Sequence, residues 1–313
     1  RVFVTGPDVV RSVTGENIDA LGLGGPGMHG ATSGVAHVVA DSDEDGYART
    51  RSIVALLAGR TRPKPRSHDG DPGALVPANT RQAYDAHAVV DAVLDAPGEE
   101  LQAGHARNVV TTLGRLEGRP IGVVATNPSW LAGCLDAAAS DKAARFVRLC
   151  DSLGLPILVL VDVPGYLPGV QQEADGIVRR GAKLVHAFAA ARVPCVTVVT
   201  RKAYGGAYIA LNSRSLGAAA VFAWPGAEVD VMNSTAAIRI LHRKKLEMLP
   251  PGSRAAAEER LSAEHLVITG GLETAVRDGL VDAVIEPGET RARVAEAFRA
   301  AGSSRGHHSN IPL

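Results

Sequence analysis

The chain is poor in aromatic residues (4%), has three cysteines, and carries no net charge, with 33 basic residues against 33 acidic ones. Each scarcity excludes something. A balanced charge argues against a nucleic-acid or anionic-membrane surface as the main partner. Three widely spaced cysteines, Cys134, Cys150 and Cys195, all in apolar sequence, suit buried thiols in a reducing, cytoplasmic setting better than disulfides or a metal site. The ten histidines form no HxH or HExxH pattern. No apolar run reaches the eighteen or so residues that a membrane span needs, and the N-terminus lacks a signal-peptide layout. The chain starts at Arg1 without an initiator Met, directly in the strand-like VFVT, as if cut from something longer.

What is present is a hydrophobic content of 46% over 313 residues, ample for a buried core. The most informative stretch is Cys195 to Ser213. The β-branched run CVTVVT predicts a buried strand, and AYGGAY predicts a glycine turn opening a helix at about Ala207 or Tyr208. Helix N-termini leave unpaired N–H groups at a positive dipole end, so backbone amides there can grip a developing oxyanion. Gly205-Gly206-Ala207 alone equally serves a tight turn and close helix packing.

Ahead of this stretch, RVFVTGPDVVRSVTG predicts a short strand, a turn and a helix from Asp8. Gly22 to Gly34 reads as a glycine loop with His29 and His37 at its end, either of which could line a pocket. Asp43 to Ala58 reads as an amphipathic helix. Residues 61–77 carry a proline-rich, locally basic linker that could attract an anion. In the following region, VVTTLGRLEGRPIGVVATN predicts a hairpin turning at Glu117-Gly118-Arg119. A helix capped by Ser140 and stopped by Gly154 follows. Leu155 to Val163 is apolar enough to be a central strand covered on both faces, and it ends in the loop PGYLPG. Gly176 to Arg192 is a second helix. Strand, helix and strand in this order make a right-handed crossover, so the PGYLPG and AYGGAY loops belong to one sheet edge and one cleft. Two short strands about Trp224, a basic-ended helix at 233–245, a charged helical stretch at 246–272, and a final helix from Thr290 complete the pattern. The tail, with His307 and His308, reads as solvent-exposed.

In order along the chain stand VTGPDVV, SGVAH at 33–37, LAGCLD at 131–136, KAARFVRLCD at 142–151, DVPGYLPG at 162–169, RKAYGGAY at 201–208, AWP at 223–225 and a terminal NIPL. With these the chain resembles the carboxyltransferase β subunits of biotin-dependent acyl-CoA carboxylases of the propionyl- and acetyl-CoA type, specifically their C-terminal part. The resemblance implies an α/β, crotonase-like ββα superhelix. Residues 1–60 would be the remnant of an N-terminal acyl-CoA-binding domain, 61–77 the linker, and 78–313 the biotin-binding C-terminal domain. It also implies biotin as cofactor, arriving as carboxybiotin on a biotin carboxylase/biotin carboxyl carrier α subunit, since no biotinyl-lysine motif is present. Acyl-CoA would be the substrate, and a homo-oligomer, the family hexamer, the assembly.

By the same resemblance, carboxybiotin yields carbon dioxide and a biotin enolate that takes the α-proton of the acyl thioester. Catalysis would then rest on the backbone amides of Gly206 and Ala207, with Gly205, Tyr208, Ile209, Pro164, Gly165 and Tyr166 forming the biotin/substrate pocket. No side-chain base is required, which agrees with the lack of a Ser/His/Asp constellation. Two departures stand out. The segment carrying the acyl-CoA oxyanion hole has no counterpart, and Met232-Asn233-Ser234-Thr235-Ala236-Ala237 lacks two glycines usual after AWP. Alternatives that share these motifs are a biotin-dependent decarboxylase or transcarboxylase subunit and a non-catalytic truncated subunit. Ile209, where propionyl-specific relatives often carry Asp, adds an apolar wall.

Overall fold

The structure, a computed structural model, describes residues 1–58, 70–269 and 271–308. Most of the expected linker therefore lies outside the described residues. Helices α1 (Pro7–Thr14), α2 (Ala20–Gly24) and α3 (Asp43–Leu57) come first, then α4 (Ala86–Val93). β1 (Glu99–Glu100), β2 (Val109–Leu116) and β3 (Arg119–Thr126) form an antiparallel meander whose β2–β3 turn is Glu117-Gly118, both with positive φ. Then come α5 (Ala137–Leu153), β4 (Ile157–Val163), α6 (Val170–Ala174), α7 (Ile177–Ala190), β5 (Cys195–Tyr204) and α8 (Gly205–Ala210). The remainder is β6 (Ala220–Ala223), β7 (Glu228–Asp230), α9 (Ser234–Leu241), α10 (Arg243–Glu247), α11 (Pro251–Thr269), α12 (Gly271–Arg277), β8 (Ala283–Val284) and α13 (Thr290–Ala301).

All the strands join one sheet, in the order β1-β2-β3-β4-β5-β6-β8 with β7 continuing beside β5. From β3 onward the pairs are parallel, because each return passes through a helix. The period-two alternation of a strand divides the core into two layers. Ile157, Val159, Val161 and Val163 of β4 pack with Phe146 and Val147 of α5, Leu184 and Phe188 of α7, and Ala207 and Leu211 around α8. Leu158 and Leu160 face the other way, with Val196 and Val198 of β5, onto Val90 and Val93 of α4 and Val294 and Phe298 of α13. The uniform apolarity of β4 is thus the mark of a strand covered on both sides. Ile238, Leu246 and Leu261 make a separate small core under α9, α10 and α11.

Several local expectations are corrected. VFVT is not a strand, since Val2 donates to Gly24 O but, among the described residues, no neighbouring strand extends the ladder. The Gly22 to Gly34 loop is partly helical: Asp19 caps α2 by accepting from Gly22 N at 2.7 Å, and a π-helical turn covers Met28–Thr32. Asp136, not Ser140, caps α5, accepting from Ala139 N at 2.8 Å, while the Ser140 hydroxyl donates back to Asp136 O. Gly154 stops α5 in the left-handed conformation, as expected of a C-cap glycine. The stretch at 246–272 is helical as expected, divided among α10, α11 and α12. His308 is not solvated in the tail; its Nε2 lies 2.8 Å from Asp151 Oδ2. His307 is exposed.

Candidate functional site

β4 and β5 are adjacent and parallel, with Ile157 beside Cys195 and Val163 beside Ala203, so the loops that follow them open on the same sheet edge. β5 runs to Tyr204, four residues beyond the β-branched run, because Lys202 to Tyr204 pair with β7. The chain then turns at Gly205, whose φ is +57° and where a Cβ would come 2.7 Å from Val231 O. Only glycine fits both the conformation and the space there. Helix α8 therefore starts at Gly205, two residues earlier than predicted, and no side chain caps it. Gly206 and Ala207 occupy the second and third helical positions, where N–H groups have no acceptor within the helix. Gly206 is exposed, and a Cβ there would meet no atom within 4 Å, whereas the Ala207 side chain is fully buried.

Beside this turn lies a mostly apolar cavity of about 320 Å³ lined by Gly205, Tyr208, Ile209, Ser213, Val229 and Leu280 among others. Ile209 is half exposed at its mouth. Burial pushes the Tyr208 phenol up to about 12, so it stays neutral at physiological pH. Pro164, Gly165 and Tyr166 are half-buried on the loop after β4 and do not line this cavity. That loop is fixed by Leu135 N donating to Gly165 O (3.1 Å) and Leu167 N to Leu135 O (2.7 Å). The Tyr166 ring turns toward Gly181 of α7, with its hydroxyl on the side of Ser140 of α5. The two loops thus share an edge, but these loop residues lie outside the cavity beside Gly205.

Met232 and Ser234, in the stretch that lacks two glycines, line a neighbouring cavity of about 500 Å³ with Tyr204, Glu228 and Asp230. The Asn233 side chain accepts from Thr235 N and caps α9. His29 is tied to Ser33 Oγ at 2.8 Å and to Val2 O. His37 lines a separate polar cavity. Among the described residues no group of His, Cys, Asp and Glu could hold a metal ion, and no helix is long and apolar enough to cross a membrane.

An ion pair that the sequence pattern alone does not pick out holds this edge. Asp162, penultimate in β4, receives Arg201 Nε at 2.8 Å, and both side chains are buried. Arg201 Nη1 also donates to Gln82 O at 2.9 Å, and Lys202 N donates to the second Asp162 oxygen at 3.3 Å. Burial pushes the Asp162 carboxyl above the usual carboxylate range, and the neighbouring Arg201 and Lys202 charges oppose that rise. A signal was present: an acid at the end of an otherwise apolar strand and a base just after the next strand's apolar run.

Comparison with known proteins gives a carboxyl transferase domain over residues 1–309. The chain is 55% identical over 318 residues to the biotin-dependent acetyl-/propionyl-coenzyme A carboxylase beta6 subunit of Mycobacterium tuberculosis, covering 100% of this chain and 67% of that protein. It is 51% identical to the propionyl-CoA carboxylase beta chain of Rhodococcus erythropolis, again covering 100% of this chain and 67% of the relative. Among solved structures, transcarboxylase 12S, described as a hexamer assembly with methylmalonyl-coenzyme A bound, superposes with a TM-score of 0.87 at 39% identity. That match covers 99% of this chain and 62% of the other. The chain therefore spans about two thirds of the length of these relatives.

Proposed function

The chain belongs to the carboxyl transferase domain family, among the carboxyltransferase β subunits of biotin-dependent acyl-CoA carboxylases, and from that premise we propose that it is the part of such a subunit that receives carboxybiotin. The net reaction moves a carboxyl group from the carrier's ring nitrogen to the α-carbon of a short acyl-CoA, and the α-proton takes its place on the carrier. The single observation that carries this reading is the turn at Gly205–Ala207, where no side chain caps the start of α8, a Cβ on Gly206 would meet no atom within 4 Å, and a mostly apolar cavity adjoins Gly205. The cavity's size and apolar walls fit a small bicyclic ring. When bound, carboxybiotin supplies the transferable carboxyl group.

The N–H groups of Gly206 and Ala207 would stabilise the oxyanion that develops on the carrier's ring, an effect of a few kcal/mol for such donors. Gly205, Tyr208 and Ile209 would shape the pocket around it. Pro164, Gly165 and Tyr166 would enter when the carrier docks across the shared edge. Residues 1–60 fit the end of an acyl-CoA-binding half, because no apolar side chain of residues 1–58 is buried. Residues 78–313, with their ββα order and two-sided sheet, fit a crotonase-like domain. The biotin-carrying α subunit and further copies of the chain would complete the enzyme. The likeness to transcarboxylase 12S equally suits a transcarboxylase, which exchanges the carboxyl group between two acceptors.

The test is isotope exchange in the assembled enzyme. Labelled carboxyl groups should pass between a biotinylated carrier and propionyl- or acetyl-CoA, and omission of the carrier should abolish the exchange. Absence of exchange with either thioester would overturn the assignment. Exchange that requires a second carboxyl acceptor would favour the transcarboxylase reading.

A further inference from the structure

Away from the Gly205 turn, a polar cavity of about 590 Å³ opens between the 32–37 segment and the first turns of α5 and α7. Its walls include Lys142, Arg145 and Arg180 against one carboxylate, Asp141, with Thr32 and His37 beside them. The cations differ in how they are engaged. Lys142 is fully buried and its amine donates to Val109 O at 2.6 Å and His105 O at 2.9 Å, so it supplies charge to the cavity but no contact. Glu100, 3.9 Å behind it, offsets part of that charge. Arg180 shares Asp141 with Lys183, at 3.3 and 3.1 Å.

Arg145 is the unusual member. Its Nε donates to His37 Nε2 at 3.1 Å. A ring nitrogen that accepts from a guanidinium carries no proton, and burial together with the Arg145 charge holds His37 below its ordinary pKa. Among the described residues no carboxylate pairs with Arg145, so its terminal nitrogens, the edge suited to bidentate oxyanion binding, lack a counter-charge. An excess of positive charge in a walled, polar space calls for an anion, and the surplus matches a doubly charged one better than a single carboxylate.

We propose that this cavity binds a phosphate dianion, held by the terminal guanidinium nitrogens of Arg145 and by Arg180, with Thr32 donating a hydroxyl. It shares no lining residue with the cavity at Gly205, so the two assignments stand or fall separately. The same chemistry is offered by free inorganic phosphate and by the ribose 3′-phosphate of a coenzyme A ligand.

The test is a titration of the full chain with inorganic phosphate, coenzyme A and dephospho-coenzyme A, read from the His37 and His105 ring resonances. Sodium chloride at matched ionic strength serves as control. Phosphate is expected to shift both rings saturably, and Arg145→Gln and Arg180→Gln are each expected to weaken binding at least tenfold. Arg145→Gln retains an amide donor for His37. Coenzyme A binding more tightly than dephospho-coenzyme A would identify the ribose phosphate as the source. Equal affinities for those two, alongside saturable inorganic phosphate, would identify free phosphate. Shifts no different from those in chloride would overturn the proposal on the wild-type chain alone, whether or not the variants fold. Affinities unchanged in both variants would overturn it as well.

Discussion

Asp162 and Arg201 show how one residue pair can set the geometry of a sheet edge. The β4–β5 register shifts between Val161 and Val163, and both Asp162 oxygens are used across it, one by Arg201 Nε and the other by Lys202 N. Removing the acid would leave a buried guanidinium with only carbonyl oxygens and the Tyr84 ring as partners. Asp162→Ala is therefore expected to cost about 3–5 kcal/mol of stability, measurable by denaturant unfolding. A loss below about 1 kcal/mol would show that the pair is not what holds this edge. Gly205 makes a smaller claim at the same scale. With φ +57° and Val231 O in the way, Gly205→Ala should cost about 1–3 kcal/mol, whereas Gly206→Ala, in open space, should be close to neutral. Equal melting temperatures for the two variants would contradict this. The charges of Asp162 and Arg201 were plain in the sequence. Their pairing was not, because it depends on a parallel register that no local pattern encodes.

At the scale of elements, the long-range order of β4, α7 and β5 was legible because uniformly apolar strands and amphipathic helices leave a strong periodic signal. Ends were less so. Asp136 and Ser140 are both good caps, and the choice between them came from where the LAGCLD turn leaves the chain, not from residue preference. Glycine-rich 22–34 gave no pattern to read, because glycine permits helical and loop backbone alike. Likewise β5 extends past its β-branched run only because β7 is there to pair with it.

Helix α4 carries a pH prediction. His87, in its first turn, lies between Glu100 Oε2 (2.9 Å) and Asp85 Oδ1 (2.5 Å), and these carboxylates raise its pKa from 6.5 to about 9. A raised folded-state pKa stabilises the fold fully below 6.5, and this contribution is lost as pH rises from 6.5 through 9. Lys142 works in the opposite sense. Burial lowers it to about 8, so its penalty is relieved only on raising pH from about 8 toward 10.5. Between pH 6.5 and 8 the stability difference between the wild type and His87→Gln should therefore shrink steadily. A difference that stays flat over that window would remove the charged state of His87 from the account.

For the whole molecule, the uneven distribution of buried surface is the main feature. The sheet from β2 to β6 is covered on both faces, yet neither α1 nor α3 contains a buried residue. Val2, Val4, Val9, Val13, Tyr47, Val54 and Leu57 are all exposed on that first segment. A run of exposed apolar side chains on one segment suits a surface that is covered by association. The chain is expected to self-associate or to bind an apolar dye strongly, and light scattering that shows a stable, dye-silent monomer at high concentration would contradict it.

In the proposed function, backbone amides at the Gly205 turn, and no side chain, do the chemistry on the biotin side. The informative substitution is Gly206→Pro. It deletes one amide in the first turn of α8, at a position where an added Cβ meets no atom within 4 Å and where the preceding residue is itself glycine. Ala207→Pro is less suitable, since Ala207 is third in the helix and fully buried. The measurement is the rate of carboxyl exchange with the biotinylated carrier in the assembled enzyme, taken together with the melting temperature. The account predicts a rate lower by roughly a hundredfold with a small change in melting, as for loss of one oxyanion donor. A Gly206→Pro enzyme that folds and exchanges carboxyl groups at close to the normal rate would contradict it.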